Sequence, residues 1–142
     1  KGHYYQLDAL VGLYNDKFAV PAKKVMDLVK SRGVMENPAA FSNEIEWEYW
    51  ELWHHEGRRA RHGAAMFAPD YTWWHGFYDI AHNFYFKFLP SAQAYGDPEV
   101  NALVDEILAD PMAAWFNRPT GEIKADINSG VLPAIYENLF TK

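Results

Sequence analysis

Five of the six histidines in this 142-residue chain, His54, His55, His62, His75 and His82, fall within one 29-residue stretch, with Arg58, Arg59 and Arg61 among them. At a helical period His55, Arg59 and His62 (i, i+4, i+7) share one face, and His54, Arg58 and Arg61 line the adjoining one. Tyr71, His75, Tyr78 and His82 follow at i, i+4, i+7 and i+11, a single stripe of phenol and imidazole. Imidazoles near neutral pH move protons or ligate metals. A buried one needs a hydrogen bond, a carboxylate or a metal to offset its desolvation. For a lone histidine, a satisfied place in the core is the plainer reading. Five on two consecutive helices, beside three guanidiniums that pair bidentately with carboxylates, bring ligation level with it.

Other constellations are weaker. Glu51-Leu52-Trp53-His54 and Asp79-Ile80-Ala81-His82 are E-x-x-H and D-x-x-H segments. Two Glu-x-x-His helices plus two further glutamates build a di-iron carboxylate bundle, so a stand-alone di-iron site on Glu51, His54, Asp79 and His82 is one alternative. His55-Glu56 is followed by Arg59 where a zinc-protease helix has its second histidine, so that motif fails. The chain has no nucleophile elbow and no phosphate-binding glycine loop.

The elements that carry these residues read as helices throughout, without one alternating strand. A first helix over roughly Tyr4 to Arg32 is interrupted or restarted by Pro21 and stopped by Gly33. A second opens at Asn43, with Glu46 three residues on as a capping box, and runs to about Met66, weakened by Gly57 and Gly63. A third opens at Asp70 and ends at Leu89, before Pro90. On it Trp73, Phe77, Ile80, Phe84 and Phe88 form an apolar stripe beside the His/Tyr one, leaving Thr72, Asp79, Asn83 and Lys87 as a narrow polar strip. A helix so apolar is expected to be buried on most sides, in this chain, against a partner or against a large apolar cofactor. A fourth helix starts at Asp97-Pro98-Glu99 and ends near Asp110-Pro111, which starts one more turn. Its acidic run reads as a solvated face. The division expected is a helical bundle domain over 1–116 and a tail over 117–142 with a short apolar segment from Val131 to Phe140.

Composition sets bounds. Aromatic residues make up 17% of the chain, well beyond what a core this small requires, while 49% hydrophobic and 23% charged residues are ordinary for a globular protein. A net charge of −6 argues against nucleic acid as a partner. No Cys is present, which excludes disulfides, thiolate metal sites and covalent c-type haem attachment within this chain. The first residue is Lys1 rather than Met, so the chain is expected to be processed or divided from something larger.

The segments Trp53-His54-His55-Glu56-Gly57-Arg58-Arg59-Ala60-Arg61-His62-Gly63-Ala64-Ala65-Met66 and Ala68-Pro69-Asp70-Tyr71-Thr72-Trp73-Trp74-His75-Gly76-Phe77-Tyr78 resemble the C-terminal helical region of the octahaem hydroxylamine oxidoreductase family, which includes the hydrazine dehydrogenases. The resemblance covers about Tyr4 to Phe116 and is most specific from Glu46 to Leu89. It implies an all-α fold, a bundle of long helices forming the C-terminal domain of a multihaem cytochrome c oxidoreductase. In that family a preceding region binds eight c-type haems, the subunits form a trimer, and a tyrosine cross-links to the catalytic haem of a neighbour. Tyr71, in its Asp-Tyr-x-x-Trp-His-Gly context, takes that tyrosine's place, with Tyr78 as the fallback. His55 and His75, then His54 and His62, take the place of distal axial ligands, and Arg58, Arg59 and Arg61 would suit haem propionates.

The function this implies is oxidation of hydroxylamine or hydrazine. The haem c would be carried by a partner chain or a missing N-terminal region, and electrons would leave to a redox partner cytochrome. Covalent haem attachment implies a periplasmic or equivalent extracytoplasmic location. The remaining alternative is a non-catalytic assembly subunit of a multihaem complex, whose aromatic residues simply form an obligate interface.

Overall fold

The computed structural model describes residues 2–140, which are 80% helical and contain no strand. Six helices follow one another: α1 (residues 2–32), α2 (44–65), α3 (69–94), α4 (Pro98–Leu108), α5 (Thr120–Asn128) and α6 (Val131–Phe140). The chain divides into two compact units between Val104 and Asp105.

In the first unit α1, α2 and α3 pack around Phe18, whose ring lies 5.5 Å from Phe84, 6.3 Å from Tyr85 and 6.4 Å from Phe77. Val25, Val29, Ile45, Leu52, Ile80, Phe88 and Leu89 complete the interior, and Val100 and Val104 add the first two turns of α4. Helix α1 stops at Gly33, which takes the left-handed φ of 64° foreseen for it. Arg32 then reaches Asp97 at 2.8 Å and Glu99 at 2.9 Å, tying that end to the start of α4, where Asp97 also accepts the Glu99 and Val100 N–H groups. The α2 cap forms as read: the Glu46 carboxylate accepts from the Ser42 and Asn43 N–H groups, each at 3.1 Å.

Pro90 does not end its helix, contrary to the sequence reading, while Pro21 stands in the first turn of the regular segment that restarts at Val20 within α1. Residues 15–19 and 84–88 are wide, π-type turns in which the Val20 N–H bonds to the Asn15 carbonyl and the Leu89 N–H to that of Phe84. Pro21 and Pro90 each stand two residues beyond, where the widened ladder has already absorbed the missing N–H and the ring's bulk. Helix α3 therefore continues to Ala94 instead of ending at Leu89. Residues 51–56 and 73–78 are two further wide turns, and between them they hold His54, His55, His75 and Tyr78.

The glycines of α2 and α3 serve close approach. A Cβ on Gly63 would lie 2.7 Å from the Thr72 nitrogen, and one on Gly76 2.6 Å from the Ala60 Cα, so the two helices touch backbone to backbone. Gly57 is likewise filled by the Tyr14 ring. The turn between α2 and α3 closes with the Ala68 N–H on the Gly63 carbonyl at 2.9 Å and Phe67 at a φ of 55°. The His3 ring is stacked 3.4 Å from that of Phe67. Helix α3 opens at Pro69 after Ala68, so Asp70 lies within its first turn and is not the cap.

The second unit is more structured than a tail. Asp110 caps the short turn Pro111–Ala113 through the Met112 N–H. Arg118 then spans Glu122 (3.5 Å) and Asp126 (2.8 Å) along α5, a helix the sequence reading missed, and α6 covers the expected apolar segment.

Candidate functional site

The fold buries two of the four residues of the polar strip of α3 and leaves the His/Tyr stripe outside, while Phe77, Ile80, Phe84 and Phe88 of the apolar stripe are buried as expected. Thr72 and Asn83 are buried, whereas Tyr71 is 54% and Tyr78 57% exposed, and His75 and His82 face solvent as well. The reason is pairing capacity. Thr72 returns its hydroxyl to the Ala68 carbonyl at 3.0 Å, and Asn83 donates to both the Glu48 carbonyl (3.0 Å) and the Glu56 carboxylate (3.1 Å). Both therefore find partners inside. The rings outside form a ladder along the helix: Tyr71–His75 at 5.4 Å, Trp74–Tyr78 at 5.8 Å, Tyr78–His82 at 6.3 Å and nearly parallel, and His82–Phe86 at 5.8 Å. Exposed rings thus recur along this side of α3 from Tyr71 to Phe86.

Beside the upper end of the ladder, α2 and the turn into α3 form an open groove of about 400 Å³. Four residues foreseen for the site line it: Arg58, Arg59, His62 and Tyr71, over Gly63, Met66 and Ala68. The three arginines differ in their commitments. Arg59 holds Asp79 across the helix pair at 3.6 Å and lies 3.3 Å from His55 Nδ1. Arg61 bonds the Gly57 carbonyl at 3.0 Å and covers the Tyr14 ring at 4.8 Å, a cation–π contact. Arg58 is exposed and makes no such contact among the described residues.

The remaining foreseen residues stand apart. His54 is half-buried and stacked on Trp50 at 4.5 Å, and the His75 Nε2 lies 3.5 Å from Asp70. His55 is exposed, with Arg59 against its Nδ1. Among the described residues no group of three or more His, Asp or Glu side chains could hold a metal ion. Glu51, His54, Asp79 and His82 thus do not assemble the carboxylate–histidine cage that the di-iron alternative requires.

Sequence reasoning missed Glu56, a strongly perturbed carboxyl among the described residues. Glu56 is only 7% exposed, and burial pushes it up to about 7 against the downward pull of its Asn83 hydrogen bond, with Glu51 and Asp79 adding repulsion. Asn83 Oδ1 is buried beside it without a donor. The only signal was position: Glu56 lies one residue past His55 and four past Leu52, which puts it on the buried face.

No helix among the described residues is long and apolar enough to cross a membrane. Comparison with protein-family models, with curated proteins and with solved structures gives no match for this chain.

Proposed function

We propose that this chain is the helical part of an octahaem c-type oxidoreductase that oxidises a small nitrogen compound, hydroxylamine or hydrazine, and that it acts together with a haem-bearing chain. The observation that carries the reading is the outward ladder of tyrosine and histidine meeting a groove with an uncommitted arginine: Tyr71 and Arg58 are both offered to something outside this chain. The donor set fits the group. A haem iron held elsewhere asks one imidazole of this chain, which an isolated exposed histidine can give, whereas a protein-only metal site asks for a cluster of ligands.

In this reading His55 and His75 present imidazoles to electron-transfer haems, with His54 and His62 next. Tyr71, or failing it Tyr78, stands at the catalytic haem, with Arg58 beside Tyr71 for a propionate carboxylate. When bound, the haem supplies an open iron position for the substrate and a one-electron path outward. This chain's residues position and shield: the aromatic ladder excludes water from the contact face, and Arg59–Asp79 fixes α2 against α3, so that Tyr71 keeps its place. A trimer of such units, a cytochrome as redox partner and an extracytoplasmic location complete the proposal.

The test is Tyr71→Phe in the enzyme purified natively with its haem-bearing chain. Loss of the distinctive ferrous absorption of the catalytic haem, with assembly intact, is the expected result. An unchanged spectrum in both Tyr71→Phe and Tyr78→Phe refutes the role. The exposed ladder also favours a second reading, a purely structural interface. In that case His55→Ala and His75→Ala lower assembly and leave every haem spectrum as it was.

A further inference from the structure

We propose that the groove at the α2–α3 turn binds a flat aromatic carboxylate, with Arg58 as the clamp for its carboxyl group. The volume, about 400 Å³, lies within the range of small-molecule sites. The walls are apolar, and the polar groups at their rim share one character. Arg58 is a fixed cation, while the Tyr71 hydroxyl and the His62 imidazole can both donate, and no carboxylate lines the groove. Such a rim selects an anion.

The arginines are not equivalent here. Arg59 is drawn to Asp79 and His55, and Arg61 to the Gly57 carbonyl and the Tyr14 ring, so their guanidiniums serve the fold. Arg58 keeps its whole planar fork for an outside partner, and that fork matches a carboxylate through two parallel hydrogen bonds. The apolar floor sets the rest of the ligand. Met66, 74% exposed, presents a thioether that packs well on ring edges, and the half-exposed Tyr71 offers a ring face. Inorganic phosphate would leave this floor uncovered, and an aliphatic acid would forgo the ring contact. A flat aromatic body with one carboxyl arm uses both.

Two sources carry this chemistry, a free aromatic acid and the propionate edge of a tetrapyrrole. The second deepens the function proposed above and rests on that reading, while the first stands without it. Titration of the full chain with 2-naphthoate by calorimetry at low salt distinguishes the outcomes. The expected result is saturable 1:1 binding that weakens at least about tenfold with neutral 2-naphthamide and about tenfold in Arg58→Gln, since a charged bidentate contact is lost in each. Met66→Glu, another exposed position, should abolish it, and helicity by circular dichroism should be unchanged in both variants.

Absence of saturation below about 1 mM, or equal affinity in Arg58→Gln, overturns the inference. Metal-free mesoporphyrin separates the sources. If it competes with 2-naphthoate and weakens with the same substitution, the groove holds a tetrapyrrole edge. If only 2-naphthoate binds, the site stands for free aromatic acids and the placement of Arg58 at a haem propionate falls. Should the groove fail while Tyr71→Phe still erases the haem signature, the function stands without this inference.

Discussion

The buried Glu56 carboxyl should make the stability of this protein fall as pH rises through the neutral range. In the unfolded chain it titrates near 4.5, and in the fold it is pushed up to about 7. Below pH 4.5 it is neutral in both states, and its burial carries no ionisation penalty. Between the two values the folded state holds a proton that the unfolded state has released, so stability declines with pH and levels off above about 7. At 1.36 kcal/mol for each pH unit between them, the loss is about 3 kcal/mol.

Glu56→Gln removes the ionisation, keeps an oxygen to accept from Asn83, and adds an N–H₂ that can serve the buried Asn83 Oδ1. Urea unfolding of wild type and variant at pH 4.5, 6 and 8 isolates this group, because other titrating groups cancel in the difference. The two should be nearly equal at pH 4.5, and the variant about 3 kcal/mol more stable at pH 8, or roughly 6–12 °C higher in melting temperature for a chain of this size. A difference that does not change with pH would refute the reasoning.

Three further outcomes follow from the packing. Gly76→Ala should cost about 3 kcal/mol in thermal unfolding, because the new Cβ meets the Ala60 Cα at 2.6 Å and the Tyr71 carbonyl at 2.8 Å and neither is a movable side-chain end. Asn83→Ala should cost about 2 kcal/mol by urea unfolding, more at pH 8 than at pH 5, since it takes the hydrogen bond from the buried Glu56 carboxylate and leaves the Glu48 carbonyl with the Glu51 N–H. Pro90→Ala should change stability by less than about 1 kcal/mol by the same measurement, against the roughly 3 kcal/mol that a helix-interior proline ordinarily costs, because the preceding wide turn has already made room.

Residue order alone was enough to place most of the helices and many of their ends. Gly33, the Asn43/Glu46 box and the short break before Pro69 act through the nearest few residues, and local signals of that kind survive folding. Pro90 misled for a physical reason: the rule that proline breaks a helix assumes a regular i→i−4 ladder, and this chain widens the ladder just ahead of it. The apolar stripe of α3 was legible, with Phe77, Ile80, Phe84 and Phe88 inside, but Thr72 and Asn83 were misplaced because hydropathy ranks residue types, whereas their burial followed pairing. Asn83 found two acceptors on α2, and the rings of Tyr71 and Tyr78 found no place inside. The gathering of Arg58, His62 and Tyr71 at one groove was partly legible from helical spacing. Arg58's freedom was not, since it depends on which neighbours Arg59 and Arg61 had already engaged.

The wide turns have a consequence for how such a surface changes over time. Each encloses one residue more than a regular turn, which offsets everything downstream by about 100° around the helix axis. Removing a single residue from 84–88 would return that turn to a regular pitch, swinging the downstream side chains of α3 while leaving the ladder's start at Tyr71 untouched. Insertions and deletions, ordinarily fatal inside a helix, therefore become a means of re-aiming side chains here. The rings this protein shows to its surroundings are adjustable by chain length as well as by residue identity, at wide turns carried by each of its three longest helices.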